Sequence, residues 1–420
     1  MSSHKKTNKT IGFWHRHKIL RNILLGIVII LAILISWLVL TSIRAARYQS
    51  EIEPFYDTNG IASQGTPGEL LRQEPLSAQV VGGTSQRILY RSQRADGSAS
   101  ISSGMIFIPN NSPSTPRPVV AWAHGTIGMG DDCAPSRLSD PTANIAWVNT
   151  MLQNGWVVVA TDYAGLGTAG TEQYLVGKTE AYDVLNSVRA ARQITNFQAS
   201  NQFAVWGHSQ GGHSALFTAQ QALAYAPDLK LVSTVASAPA AELIPLLNQQ
   251  YGGSIDWVIG PEILISWPEV YKNLDINSIT TPVGLRNYKQ IANKCIGAAA
   301  IDGMVRNQFG QRIFSQNPVD VPSWNAVAQA QSAPLLSPSQ PLMVVESLSD
   351  TVVLPNTTAL YIQKACQANS NLTSLWINNV GHLQIPQVTS PDVISWLSDR
   401  FANKPTSPTC SQALPLAPAS

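Results

Sequence analysis

The stretch Phe203-Ala-Val-Trp-Gly-His-Ser-Gln-Gly-Gly212 decides the fold. Its four apolar residues, 203–206, predict a short buried strand, and the Ala- and Gln-rich residues that follow predict a helix. Glycines on both sides of Ser209 allow a sharp turn, because a Cβ at either position would collide with a neighbouring element. We therefore predict a strand–turn–helix unit that exposes Ser209 at a helix N-terminus, where the helix dipole favours negative charge. A glycine-rich connection with a capping serine is the alternative.

Apolar runs of strand length recur on both sides of this stretch and alternate with helical patterns. The predicted strands are 79–91, 99–108, 118–123, 156–160, 203–206, 232–236, 341–345 and 374–377. The predicted helices are 179–194, 212–226, 356–368 and 391–401. Antiparallel strands followed by strand–helix alternation predict an α/β fold with a mostly parallel sheet and helices on both faces.

About 95 residues separate two predicted core strands, far more than an ordinary loop. Aromatic and apolar residues recur in this insertion, so we predict an inserted helical cap. The predicted organisation is a basic cytoplasmic segment (1–22), a transmembrane helix (23–43), a polar connector (44–78), the first part of the core (79–238), the cap (239–337), the second part of the core (338–403) and a Pro-rich tail (404–420).

The composition excludes a disordered chain and a nucleic-acid coat. Of the 420 residues, 44% are hydrophobic and 12% are charged, against roughly 25% charged in an average domain. Residues 1–50 hold eight of the 27 basic residues and no acidic one, so the remaining 370 carry 19 basic and 25 acidic residues. This mildly acidic body has no electrostatic reason to bind phosphates. We expect no nucleic-acid or nucleotide partner.

The N-terminal apolar run has the length of a membrane span. Residues 23–43 contain no charge, and as a helix they would span roughly 30 Å, the thickness of the hydrocarbon core. More basic residues precede the run than follow it, which predicts a cytoplasmic N-terminus and an exported body. The alternative is a cleaved signal peptide, which has a shorter apolar run and a small-residue cleavage site. We expect a membrane-anchored protein with a periplasmic or extracellular body, or a secreted one if the segment is cleaved.

An exported body places its four cysteines, Cys133, Cys295, Cys366 and Cys410, in an oxidising compartment, where pairing is usual. Three connectivities are possible, and the spacing selects none of them. The chain has no C-x-x-C or H-E-x-x-H spacing, so we expect no metal. Residues 165–170 match G-x-G-x-x-G, but no helical pattern starts within these glycines, so we expect no dinucleotide cofactor.

A serine needs a base that a third group orients before it attacks at neutral pH. In α/β-hydrolases these groups follow the chain order serine, acid, histidine. Four of the seven histidines, the last of them His124, lie far upstream of Ser209, and His208 and His213 adjoin it. His382 remains as the candidate base.

The candidate acid is Asp350, which follows the predicted strand 341–345 on the loop at its carboxyl end. The other candidates fall in the cap, too near the strand end or after the histidine: Asp302, Asp320, Glu346 and Asp392.

An oxyanion hole needs two backbone N–H donors. One is the N–H of Gln210, directly after the serine. The other comes from the loop after strand 118–123, through the N–H of Gly125 or Thr126. An ordinary turn is the alternative reading of this loop.

The chain resembles the secretory lipase family, the lipase A-type α/β-hydrolases, in its bacterial branch. The resemblance implies the triad Ser209, Asp350 and His382, an insertion that forms a lid over an acyl tunnel, and the disulfides Cys133–Cys295 and Cys366–Cys410. The chain differs from fungal relatives at His208 and Gln210, in its oxyanion loop and in its N-terminal anchor. The motifs that carry the resemblance are 54–56, 67–71, 123–126, 133–136, 162–167, 188–192 and 207–212, with Asp350 and His382.

We therefore expect a serine carboxylic-ester hydrolase that acts on acyl esters or acylglycerols through an acyl-enzyme. An acyltransferase and a serine peptidase could use the same triad. An inactive binding protein on a hydrolase fold is a further alternative, of a different class.

Overall fold

The computed structural model describes residues 7–76, 78, 80–110, 115–142, 145, 147–194 and 198–419. The chain forms two compact units, Met1–Phe55 and Tyr56–Ser420. The first six residues of the predicted basic segment lie outside the described residues, and so does Gln79, where the first predicted strand was expected to begin.

A single long helix, α1 (Thr7–Tyr56), contains the predicted span 23–43. The apolar side chains of residues 23–43 are exposed, and those of Ile23, Trp37 and Leu40 are more than half exposed. Within the described residues it is the one helix that is long and apolar enough to cross a membrane. Its length and composition fit a membrane span and a signal sequence alike.

The described part of the second unit contains one sheet of nine strands. They are β1 (Leu70–Pro75), β2 (Gly83–Gln93), β3 (Ala99–Pro109), β4 (Arg117–Ala123), β5 (Val157–Thr161), β6 (Ala199–His208), β7 (Lys230–Ser237), β8 (Leu342–Ser347) and β9 (Leu372–Ile377). Their order is β1-β2-β3-β5-β4-β6-β7-β8-β9. The pairs β1–β2, β2–β3 and β3–β5 are antiparallel, and the other pairs are parallel.

Both faces of the parallel strands are buried, which explains why these strands are apolar at successive positions. In β4, Val120 and Trp122 belong to one core, with residues of the cap and of α2 (Val148–Gln153). Val119 and Ala121 face the other core, which α3 (Gly177–Ala191) and α4 (Gln210–Tyr225) cover. Successive side chains of one strand point to opposite faces of the sheet, so a single strand contributes residues to both cores.

The insertion 239–337 is helical and has its own buried aromatic residues. It contains α5 (Leu243–Gln250), α6 (Asp256–Val270), α7 (Pro282–Ala292), α8 (Ile296–Gln308) and α9 (Pro322–Ala330). Trp257, Trp267 and Trp324 are almost completely buried, and α6 packs against α7 and α8. The chain leaves the sheet after β7 and returns at β8.

Two helices and the tail complete the second unit. The helix α10 (Pro355–Gln367) follows β8, and α11 (Ile385–Phe401) follows β9. The described residues 404–419 contain no helix or strand. The disulfide Cys366–Cys410 joins this tail to α10, and Thr409 N donates to Leu372 O at 2.9 Å.

The predicted polar connector, 44–78, contains two regular elements that the sequence did not predict. The helix α1 continues to Tyr56, since polarity does not prevent a helix and Ala, Arg, Gln and Glu favour one. Pro54 lies in the last turn, and α1 ends two residues after it. The strand β1 was missed because it is a partly exposed edge strand and lacks an apolar pattern.

Candidate active site

Ser209 lies in the turn between β6 and α4, with φ 60° and ψ −120°. A positive φ is strained for a residue that carries a side chain, so surrounding contacts must hold it. Ser209 N donates to Ser237 O of β7 at 2.9 Å, and Ala240 N donates to Ser209 O at 3.2 Å. The neighbouring strand and the start of the cap therefore fix the serine backbone in this turn.

The glycines on either side of the serine are required by close backbone approach. A Cβ on Gly207 would overlap the carbonyl oxygen of Gly211. A Cβ on Gly211 would overlap the carbonyl oxygen of Ala123, at the end of β4. The turn predicted from the glycines thus matches the packing of α4 against β4 and β6.

The structure brings Asp350 and His382 together on loops that follow the neighbouring parallel strands β8 and β9. His382 Nδ1 donates to Asp350 Oδ2 at 2.6 Å, and both side chains are buried. Asp350 Oδ1 accepts from Val352 N at 2.7 Å and from Val353 N at 3.1 Å. The two backbone donors fix the carboxylate, and the carboxylate fixes the imidazole with Nε2 as the nitrogen free to accept a proton.

The sequence did not predict a role for His208 in holding His382. The two rings lie 4.5 Å apart between centroids, and His208 Nε2 donates to His382 O at 3.0 Å. Burial, and next the electrostatic interaction with His382, hold the pKa of His208 well below its usual range, so the His208 ring is neutral. The signal in the sequence was the departure from the family pattern at this position.

A second missed residue, Glu346, supports the acid. Its side chain accepts hydrogen bonds from Ser347 N and from the Thr358 hydroxyl. Burial, and next the negative charge of Asp350, raise the pKa of Glu346 well above its usual range. A neutral Glu346 therefore places no second negative charge beside Asp350.

The residues predicted to form an oxyanion hole lie beside the serine. A Cβ on Gly125 would lie 3.2 Å from Ser209 Cβ, so the loop after β4 passes directly next to the serine. The hydroxyl of the adjacent Thr126 forms a 2.8 Å hydrogen bond with Tyr174 OH. Gln210 is the first residue of α4, and the first N–H groups of a helix have no intrahelical partner.

The loop after β4 is also tied to the cap. The disulfide Cys133–Cys295, one of the two pairs implied by the resemblance, joins the end of this loop to the start of α8. Met129 N donates to Ala292 O at 2.7 Å, and Ile296 N donates to Ile127 O at 2.8 Å. The cap therefore supports the loop that carries Gly125 and Thr126.

No group of three His, Cys, Asp or Glu residues that could hold a metal ion occurs among the residues that the structure describes. The glycines of residues 165–170 lie in a loop, and α3 begins only at Gly177. The helix N-terminus that a dinucleotide-binding glycine motif requires is therefore not at these glycines.

Comparison with known proteins identifies the family. The family model described as Secretory lipase matches residues 139–408. Lipase A of Arthroderma benhamiae is 23% identical over 383 residues, which cover 83% of this chain and 79% of that protein. A protein of Mycobacterium tuberculosis described as a probable inactive lipase is 22% identical over 380 residues, covering 84% of this chain and 82% of that protein.

Solved structures show the same fold. The closed state of Candida antarctica lipase A has a TM-score of 0.72 and 17% identity, and the match covers 87% of this chain and 89% of that one. The rice cell wall degrading esterase LipA of Xanthomonas oryzae has a TM-score of 0.67 and 19% identity, and the match covers 81% and 99%. The predicted α/β-hydrolase fold with a mostly parallel sheet is confirmed.

The secretory family, the apolar N-terminal helix and the disulfides in the described residues together indicate a secreted or extracytoplasmic body. The family's lipases and esterases act on lipid and other ester substrates. The chain belongs to the secretory lipase family and is a hydrolase of the carboxylic-ester type, a lipase or esterase.

Proposed function

We propose that the chain hydrolyses acyl esters through a serine acyl-enzyme, with Ser209 as nucleophile, His382 as general base and acid, and Asp350 as the group that orients His382. The observation that supports this most strongly is the 2.6 Å hydrogen bond from His382 Nδ1 to Asp350 Oδ2. It selects the tautomer whose Nε2 is unprotonated, and it stabilises the imidazolium that forms during attack.

The reaction then has two steps. His382 Nε2 takes the proton of Ser209 Oγ as this oxygen attacks the ester carbonyl carbon, and the carbonyl oxygen becomes an oxyanion. When the tetrahedral intermediate collapses, the alcohol leaves with the proton from His382 and the acyl group stays on Ser209. Water next gives a proton to His382 and attacks the acyl carbon, which releases the acid and restores the serine.

The oxyanion in both steps needs fixed donors. We assign the N–H of Gln210 and an N–H of Gly125 or Thr126 to this role. Donors of this kind contribute about 10²–10³-fold each to kcat, because they bind the charge that exists only in the transition state. The strained turn at Ser209 and the passage of Gly125 beside it support this assignment.

Ser209→Ala in the full-length chain tests the proposal, with Ser395→Ala, an exposed serine of α11, as the matched control. We expect Ser209→Ala to lose activity on p-nitrophenyl esters and labelling by a fluorophosphonate, and the control to keep both. Activity and fluorophosphonate labelling of the unmodified protein would also exclude an inactive binding protein on the same fold. Retention of most activity by Ser209→Ala would refute the nucleophile. A rate series from acetyl to palmitoyl esters then gives the acyl-length preference.

We propose further that α1 remains as a membrane anchor, with the N-terminus in the cytoplasm and the body outside. The exposed apolar side chains of residues 23–43 and the basic residues before this run support this. The full-length protein should then stay with membranes after alkaline carbonate extraction, and its N-terminus should be intact. A mature protein that begins after the apolar run would instead show a cleaved signal peptide.

A further inference from the structure

The side chain of Gln210 binds two buried glutamates, Glu172 and Glu180. Both belong to residues 172–180, which lead from β5 into α3. Gln210 Nε2 donates one hydrogen to Glu172 Oε1 at 3.0 Å and the other to Glu180 Oε1 at 2.9 Å. A glutamine amide has two N–H donors, so both are used here. All three side chains are almost completely buried. Gln210 is therefore held in one conformation directly after the serine.

We call residues 172–180 the supporting segment. The same segment also holds the other side of the proposed oxyanion hole, because Tyr174 OH forms the 2.8 Å hydrogen bond with the hydroxyl of Thr126. Tyr174 is buried and cannot move away without losing its packing in the core. One segment thus contacts the side chains of Gln210 and Thr126, two of the residues to which we assign oxyanion donors.

The supporting segment is itself anchored to α3, α4 and the cap. Leu175, at φ 52°, donates its N–H to Glu180 Oε1 at 2.9 Å. Glu180 Oε2 lies 3.0 Å from His213 Nδ1, and His213 Nε2 lies 2.8 Å from Gln331 O. A carbonyl oxygen only accepts, so His213 Nε2 is the donor to Gln331 O. His213 therefore joins the supporting segment to α4 and to the residue that follows α9 of the cap.

Unlike Glu180, Glu172 has no histidine, lysine or arginine among the described groups that act on its pKa. Burial raises the pKa of Glu172 to about 8, the hydrogen bond from Gln210 opposes this, and the negative charges of Glu180 and Asp183 add to it. Glu172 is therefore mostly protonated near neutral pH. The titratable groups that interact electrostatically with it are Tyr163, Tyr174, Glu180, Asp183 and Glu262.

We propose that the supporting segment positions the oxyanion hole, by holding Gln210 through its two glutamates and Thr126 through its tyrosine. The proposal rests on the function proposed above, because it needs the oxyanion to form at Ser209. The residues of the supporting segment do not touch the substrate and act as positioning residues. A neutral Glu172 also keeps a negative charge away from the developing oxyanion, which an ionised one would repel.

The test compares Glu172→Ala with Glu172→Gln in the full-length chain in detergent. We expect Glu172→Ala to lower kcat about tenfold with KM within about twofold, because the loosened donor binds the transition state and not the ground state. Glu172→Gln keeps an acceptor of the same shape without the charge, and it should restore most of that loss. Glu269→Gln, the same replacement at a partly exposed site of α6, is the control and should match the unmodified protein.

Two further measurements separate positioning from a structural role. Rates are expressed per active site titrated with a fluorophosphonate, so misfolded molecules do not count. The affinity for a boronic-acid transition-state analogue should fall in step with kcat in Glu172→Ala. As pH rises through about 8, kcat of the unmodified protein should decline with the ionisation of Glu172, and Glu172→Gln should lack this decline.

An unchanged kcat per active site in Glu172→Ala would overturn the proposal. The proposal would also be overturned if kcat declined above pH 8 in the same way in the unmodified protein and in Glu172→Gln. Ser209→Ala distinguishes a failure of the proposed function from a failure of the positioning role. If it stays active, the proposed function itself fails; if it is inactive while the Glu172 variants behave like the unmodified protein, the positioning role alone fails.

Discussion

Replacing Cys133 and Cys295 by serine tests how the loop beside Ser209 is held to the cap. This disulfide joins residues 162 positions apart, and the chain-entropy relation predicts that its loss costs about 5 kcal/mol of unfolding free energy. The disulfide Cys366–Cys410 joins residues 44 positions apart, and the same relation predicts about 4 kcal/mol. The two double variants should therefore lose similar stability.

Their effects on catalysis should differ. Cys133 ends the loop that carries Gly125, and Cys295 directly precedes α8 of the cap. Two backbone hydrogen bonds between described residues, Met129 N to Ala292 O and Ile296 N to Ile127 O, also join this loop to the cap. Without the covalent link, the loop can shift by the few tenths of an ångström that weaken an oxyanion donor. The bond Cys366–Cys410 joins α10 to the tail instead. We expect a several-fold lower kcat for the first double variant and no change for the second.

The assay measures both quantities on the full-length protein in detergent. Urea unfolding gives the free energy of unfolding, and ester hydrolysis in buffer gives kcat per fluorophosphonate-titrated site. The reasoning is refuted if the Cys366 and Cys410 variant loses as much activity per site as the Cys133 and Cys295 variant. It is also refuted if removal of the disulfide Cys133–Cys295 lowers the free energy of unfolding clearly less than removal of the disulfide Cys366–Cys410.

Three further predictions follow from the site. Asp350→Asn should lower kcat by about 10⁴-fold, because Nδ1 of His382 loses the acceptor that selects its tautomer; steady-state kinetics with native-like circular dichroism checks this, and a loss under tenfold would contradict it. His208→Phe should lower kcat about tenfold, because His208 Nε2 donates to the carbonyl oxygen of His382 and so holds it in place. The acid limb of the pH profile of kcat should not move, because His208 is neutral; a shifted acid limb would contradict this. Glu172, with a folded pKa of about 8 against 4.5 for the free side chain, binds a proton in the folded state that the unfolded chain has lost. Its contribution to stability is therefore greatest below pH 4.5 and is lost as pH rises to 8, by up to about 1.4 kcal/mol per pH unit. Urea titrations from pH 5 to 9 should show this slope flattened in Glu172→Gln, and equal slopes would contradict it.

Local patterns predicted the parts of the fold whose causes are local. The apolar residues 203–206 and the glycines around Ser209 predicted the turn, since strand burial and close backbone approach depend on neighbouring residues. The excess length of 239–337 predicted an insertion for a similar reason. The polar edge strand β1 gave no apolar pattern, and the helix in 44–56 is polar, so both were missed.

Chain order and elimination were enough to predict that Asp350 and His382 meet, because parallel strands present their carboxyl ends at one edge of the sheet. The contacts of His208 and Glu346 could not be predicted in this way. Their partners depend on which way a side chain points once two loops are in place, and a histidine or glutamate in a sequence carries no mark of its burial.

The buried side chains of Gln210, Glu172 and Glu180 contribute to stability as a group and not as separate contacts. A buried amide whose two N–H donors lacked acceptors would cost about 1–3 kcal/mol for each unsatisfied donor. Two buried carboxylates without donors would cost more, and they would repel each other and the oxyanion. Gln210, Glu172 and Glu180 remove each other's penalties through two hydrogen bonds and one retained proton. Replacing any one of them singly should therefore be more harmful than the sum of isolated contacts suggests, and replacing Glu172 and Gln210 together by apolar residues should cost less stability than the two single losses added.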